Sequence, residues 1–114
     1  MTVKWVKVDP LVMNGEPFCY ATRLSVRNLL EMRAKGLDAK AILQENPELR
    51  LVGIAEAYRF ASEERERYAD FFEADGSLSG PAFTEEEAAE LPEHLRSLRG
   101  IVVTDPPATV VPAG

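Results

Sequence analysis

Cysteine and histidine are the side chains most readily used for nucleophilic or metal chemistry, and this chain of 114 residues has one of each, Cys19 and His94. A catalytic thiol needs a neighbouring base or another feature that lowers its pKa. Cys19 sits in the apolar run FCY, and His94 sits far along the chain in an acidic segment. With no supporting pattern between them, Cys19 reads as a small buried hydrophobe. Two residues are also too few for a zinc set of Cys and His at close spacing. The carboxylate runs Glu63, Glu64, Glu66 and Glu85, Glu86, Glu87 lack the alternating spacing of a calcium loop and read as solvated faces. There is no glycine-rich phosphate cradle. The expectation is therefore a protein that is not an enzyme, with no catalytic residue, metal or cofactor.

Binding is the other chemistry a chain can carry, and here the charges divide unevenly. Residues 1–61 hold nine Lys and Arg against seven Asp and Glu, whereas residues 62–114 hold four against twelve. A mildly basic front and a strongly acidic back point to two tasks. The plainer alternative is that the acids only solvate helices. No apolar run approaches the roughly 20 residues that span a bilayer, and the opening MTVKWVKVDP lacks the apolar core of a secretory signal. A lone cysteine gives no internal disulfide. A cytoplasmic location and no membrane contact are expected.

The elements that would position these charges read mainly as helices. Val3–Val8 and the stretch PFCYA are short strand signals flanking Asn14-Gly15, a turn signal. Two strands alone are marginal, so the ribbon must pack on something or pair with a second copy. Ser25 is a good N-cap, followed by an apolar face at Val26, Leu29, Leu30 and Ala34 and a stop at Lys35-Gly36. Asp38 caps a second helix that ends near Asn46, before Pro47. A third starts near Leu51 with a stripe of Leu51, Ile54, Tyr58 and Ala61. From Ala61 onward nothing breaks it before Gly76, so Tyr68 and Phe72 can extend it. Thr84 and Glu87 have capping-box spacing. Pro92 interrupts that helix, and the end of the chain, IVVTDPPATVVPAG, is β-rich and broken by prolines.

Helices two and three with the turn NPELR outline a helix-turn-helix. In such a motif, phosphate contacts would come from Lys40, Arg50 and Arg59, with Arg23 and Arg27 from the ribbon side. The start of the third helix, Arg50-Leu51-Val52-Gly53, is thin for base readout. The competing reading is a plain three-helix bundle whose arginines pair with its own acids.

Taken in order, Asp9-Pro10, G-E-P at 15–17, T-R-L-S-V at 22–26, L-L-E-M-R-A-K-G at 29–36, A-I-L-Q-E-N-P-E-L at 41–49 and I-A-E-A-Y-R-F-A at 54–61 resemble the bacterial domain of unknown function 433 family. The resemblance covers roughly residues 4–61. Ala21 stands where the family usually has glycine, and the third helix opens with RLVG in place of a polar cap and acids. The resemblance implies a small helix-turn-helix-like fold and a VapB-like antitoxin, often encoded beside a PIN-like toxin.

The resulting expectation is a mainly α protein. Residues 1–61 would form a short N-terminal β-ribbon plus a three-helix, helix-turn-helix-like core, and residues 62–114 an acidic C-terminal extension, helical and irregular. Its partners would be a second copy in a homodimer, a PIN-like ribonuclease toxin held by the extension, and its own promoter DNA. PIN-like toxins use carboxylate-bound metal, so Arg96 and Arg99 of the extension become candidates to enter that site. The alternatives are a DNA-binding regulator without a toxin and a homodimeric structural module.

Overall fold

The computed structural model describes residues 6–9, 11, 15–19, 22 and 24–104. The ribbon comes first: β1 (Val6–Lys7) pairs antiparallel with β2 (Phe18–Cys19), Val6 opposite Cys19 and Lys7 opposite Phe18. The expected strand residues 3–5, Asn14 of the turn, Ala21 and Arg23 lie outside the described residues. Thr22 closes the chain after β2. Its hydroxyl donates to the Cys19 carbonyl at 2.9 Å and accepts from the Leu24 N–H at 3.1 Å. The Val26 N–H then bonds the Pro17 carbonyl, which brings the first helix back against the ribbon.

Helix α1 (Val26–Ala34) starts where Ser25 and Asn28 cap each other reciprocally. It ends in a Schellman motif: Leu37 N–H reaches the Met32 carbonyl and Gly36 N–H the Arg33 carbonyl. Gly36 takes φ 102°, a left-handed value that disfavours any side chain. Helix α2 (Ala39–Glu45) is capped by the Asp38 carboxylate, which accepts from Ala41 N–H at 2.9 Å. Asn46 ends it, its side-chain amide donating back to the Ile42 carbonyl at 3.0 Å, with Pro47 next. Helix α3 (Leu51–Glu63) begins at Arg50 with no side-chain cap.

The long third helix does not form. α3 stops at Glu63, and the chain tightens into three-residue turns, Arg67 N–H to Glu64 carbonyl and Tyr68 N–H to Arg65 carbonyl, leading to a single 3-10 turn over Ala69–Phe71. The reversal delivers Tyr68 to a fully buried place beside Phe60.

Past the turn, α4 (Glu85–Ala88) opens with the Thr84–Glu87 capping box, and α5 (Glu93–Arg96) follows Pro92. Loops pair between these pieces: Leu78 N–H to Gly100 carbonyl, Phe83 N–H to Val102 carbonyl, and Thr104 N–H to Phe83 carbonyl. Of the expected β-rich tail, residues 101–104 contribute single bridges from Val103 to Phe83 and Arg99, and 105–114 lie outside the described residues.

One hydrophobic cluster runs through both parts of the chain. Cys19, Val26, Leu29, Leu30, Ile42, Ile54, Tyr58 and Ala61 pack with Tyr68, Leu78, Phe83, Leu91, Leu95, Val102 and Val103. α3 lies at its centre, with Gly53, Ile54, Ala55, Ala57, Tyr58 and Ala61 all buried. Among the described residues, no helix is long and apolar enough to cross a membrane.

Candidate interaction surface

The buried face of α1 is completed by a cation. Arg33 follows Val26, Leu29 and Leu30 on that face and is 1 % exposed, while Ala34, assigned to the apolar face from sequence, is exposed. The i, i+3, i+4, i+7 spacing ends on Arg33, not Ala34. The guanidinium enters the loops of the C-terminal segment. Its Nε donates to the Ser79 carbonyl at 3.1 Å, and Nη2 to the carbonyls of Leu78 at 3.1 Å and Gly100 at 3.5 Å. Nη1 donates to the Ile101 carbonyl. Its face lies 4.6 Å from the centroid of Tyr58. No carboxylate pairs with it among the described residues. Its charge is balanced by backbone dipoles and an aromatic ring, and burial draws its pKa below the usual arginine value.

Backbone fit reinforces this junction. Gly80 has φ 93°, and a Cβ there would stand 1.9 Å from the Arg33 carbonyl oxygen. Only glycine allows the segment to approach α1 so closely. A second tie joins α5 to α3, where His94 Nε2 lies 2.9 Å from Glu56 Oε2. A third comes from Arg27, whose guanidinium donates to the Arg67 carbonyl at 3.3 Å and lies over the rings of Tyr68 and Phe71.

The cations singled out from sequence therefore divide. Arg27 is half-buried and holds residues 67–71. Arg59 bonds Glu56 at 2.8 Å and Glu63 at 2.6 Å on its own helix, and the Glu56 bond leads in raising its pKa. Lys40 and Arg50 are exposed at the start of α2 and just before α3. Arg23 lies outside the described residues. Arg96 and Arg99 are brought together along one open groove between α4 and α5, with Glu85, Glu93 and Ser97 beside them. There Arg99 pairs with Glu85 and donates to the Thr104 carbonyl at 3.2 Å. Arg33 was missed as a functional side chain; its position on the apolar stripe was the available signal.

The remaining titratable features are structural. Cys19 is 1 % exposed, and burial pushes its thiol up to about 12, so it packs as a hydrophobe. No group of three or more His, Cys, Asp or Glu that could hold a metal forms among the described residues. The surface of the C-terminal segment is acidic. Residues 62–104 carry eleven Asp and Glu against four Arg, and all but Glu87 of those acids are exposed.

A family model described as protein of unknown function (DUF433) matches residues 6–61. Residues 6–61 are a DUF433 family domain. The match ends at Ala61, two residues before α3 does, so the DUF433 domain comprises the ribbon, α1, α2 and nearly all of α3. The segment that Arg33 grips lies beyond it. No curated protein and no solved structure matches the chain.

Proposed function

We propose that this DUF433 protein is a non-enzymatic, antitoxin-like binding protein that docks on the basic, RNA-binding face of a PIN-like ribonuclease. The observation that carries the reading is the acidic outer surface of residues 62–104, fastened to the DUF433 domain by Arg33 and Gly80. A nuclease must attract phosphate with a positive surface. A fixed array of carboxylates competes for that surface by complementary charge. Exposed Glu85, Glu86, Glu90 and Glu93 form the part of this array on α4 and α5, and Arg96 and Arg99 in the adjoining groove supply opposite charge for the toxin's metal-binding carboxylates. Because the segment folds onto its own domain, it would dock as a preformed surface and avoid most of the ordering cost of a disordered arm.

Co-expression with the product of the adjacent gene, followed by one-step purification, tests this. Recovery of a complex that Glu85→Lys, Glu86→Lys and Glu90→Lys together disrupt is the expected result; recovery of this chain alone counts against the reading.

Promoter DNA is the second reading, favoured by Lys40 and Arg50, the exposed cations at the starts of α2 and α3. The position of α3 at the centre of the core, with Gly53, Ile54, Ala55, Ala57, Tyr58 and Ala61 buried, argues against deep insertion in a groove. A gel shift that persists at raised salt, or that Arg50→Ala leaves intact, would remove this reading.

A further inference from the structure

The segment Glu64–Tyr68 is built from residues that suit a helix yet turns at every step. Its sequence, ERERY, contains no glycine or proline, and nothing breaks the chain between Ile54 and Gly76. Glutamate and arginine are good helix formers, and a continuous helix would place Glu63 and Arg67 four residues apart in the favourable order. Residues 63–67 are all exposed, so no side-chain burial enforces the turn locally. The reversal is set by burial of Tyr68 at the end of the hinge and, beyond it, of Leu78, Phe83, Leu95, Val102 and Val103, and by the carbonyls around Arg33.

We propose that residues 64–68 are a two-state hinge, and that residues 69–104 can be exchanged between two copies of this chain. In the closed form the segment caps its own Arg33. In the exchanged form α3 runs on through the hinge, and each copy's segment caps the Arg33 of the other. Opening without a partner is prohibitive, because it strips the apolar face of the DUF433 domain and leaves a buried cation without its acceptors. A second copy satisfies both, since the contacts regained are those lost. This makes exchange of an identical element a low-cost route to a dimer. The occupant is thus a second copy of this chain, and the exposed acidic surface is retained in both forms. The inference does not depend on the nature of any toxin.

Glu66→Pro separates the two forms. In the closed form the Glu66 N–H donates no backbone hydrogen bond among the described residues, so proline there costs only a readjustment of the turn at Arg65, whereas in a continuous helix it removes a bond and clashes with the preceding turn. The full-length chain and Glu66→Pro are refolded at high chain concentration and sized by light scattering. Each is also made with Glu56→Cys and His94→Cys, positions whose native side chains touch between α3 and α5, and treated with a short bis-maleimide. The expected result is a dimer of the unsubstituted hinge that crosslinks between copies on a denaturing gel, reduced on the order of a hundredfold per hinge by proline. A monomer under all conditions, a dimer crosslinked only within each chain, or equal dimerisation of Glu66→Pro would overturn the proposal.

Discussion

Replacing Arg33 tests how the C-terminal segment is held. Among the described residues, the carbonyls of Leu78, Ser79 and Ile101 accept from Arg33 alone, while Gly100 also accepts from the Leu78 N–H. Each bond to a charged donor is worth about 1.5–3 kcal/mol net, so three that depend wholly on Arg33 carry roughly 5–9 kcal/mol. Against this, removing the cation returns its desolvation penalty, several kcal/mol for a buried ion. Alanine also leaves a cavity where the aliphatic stem packed, costing about 2 kcal/mol. The balance for Arg33→Ala is a loss of about 3–5 kcal/mol, a large share of the roughly 5–15 kcal/mol that holds a domain folded. Arg33→Met keeps most of the volume but leaves the carbonyls without a donor, and a loss of about 2–4 kcal/mol is expected. Urea unfolding followed by far-ultraviolet circular dichroism measures both through the shift in midpoint. A methionine variant as stable as the native chain would refute the reasoning. It would mean that the guanidinium's bonds only balance its burial, as buried ions sometimes do.

Other perturbations follow from the same packing. Gly80→Ala forces a side chain into a left-handed backbone and against the Arg33 carbonyl; a loss of at least about 2 kcal/mol in the same urea assay is expected. Among the described residues the buried Tyr58 hydroxyl meets no partner at hydrogen-bond geometry, and its interaction with Arg33 runs through the ring face and the nearby charge, so Tyr58→Phe should leave the midpoint unchanged or raise it by up to about 1 kcal/mol. Cys19 should resist a thiol reagent at pH 8 in the folded chain and react once urea unfolds it. Its ordinary value of 9.0 rises to about 12 on folding. That contribution to stability is complete below pH 9.0 and fades as pH climbs toward about 12, because over that range the unfolded chain has lost a proton that the folded one keeps. A stability curve flat across that window would contradict the burial of the thiol.

Much of the DUF433 domain was legible in the sequence because its boundaries rest on local chemistry. Ser25 and Asp38 cap helices through their own side chains, Gly36 supplies a left-handed residue, and Pro47 excludes helix; beyond the domain, Thr84 caps α4 in the same way. The end of α3 was not legible, because the residues after it favour a helix and the turn is enforced by contacts remote in sequence. Arg33 was hidden for a related reason. An arginine next to Ala34-Lys35-Gly36 reads as surface charge, and the carbonyls that receive it come from positions 78–101, which no local pattern announces. The candidate surface was legible only in composition: the acidity of residues 62–114 is visible in the sequence, while the gathering of Arg96 and Arg99 into one groove depends on how α4 and α5 fold back.

The claim that the acidic surface of residues 62–104 is the partner-binding surface is tested most directly by an equilibrium binding measurement on the purified adjacent-gene product. It compares the native chain with the Glu85→Lys, Glu86→Lys, Glu90→Lys variant at low and raised salt. The account predicts tight binding by the native chain that weakens with salt and falls steeply in the variant, while the variant stays folded, its urea midpoint lowered by no more than about 1 kcal/mol for loss of the exposed Glu85–Arg99 pair. Binding equal for both proteins and indifferent to salt would contradict it.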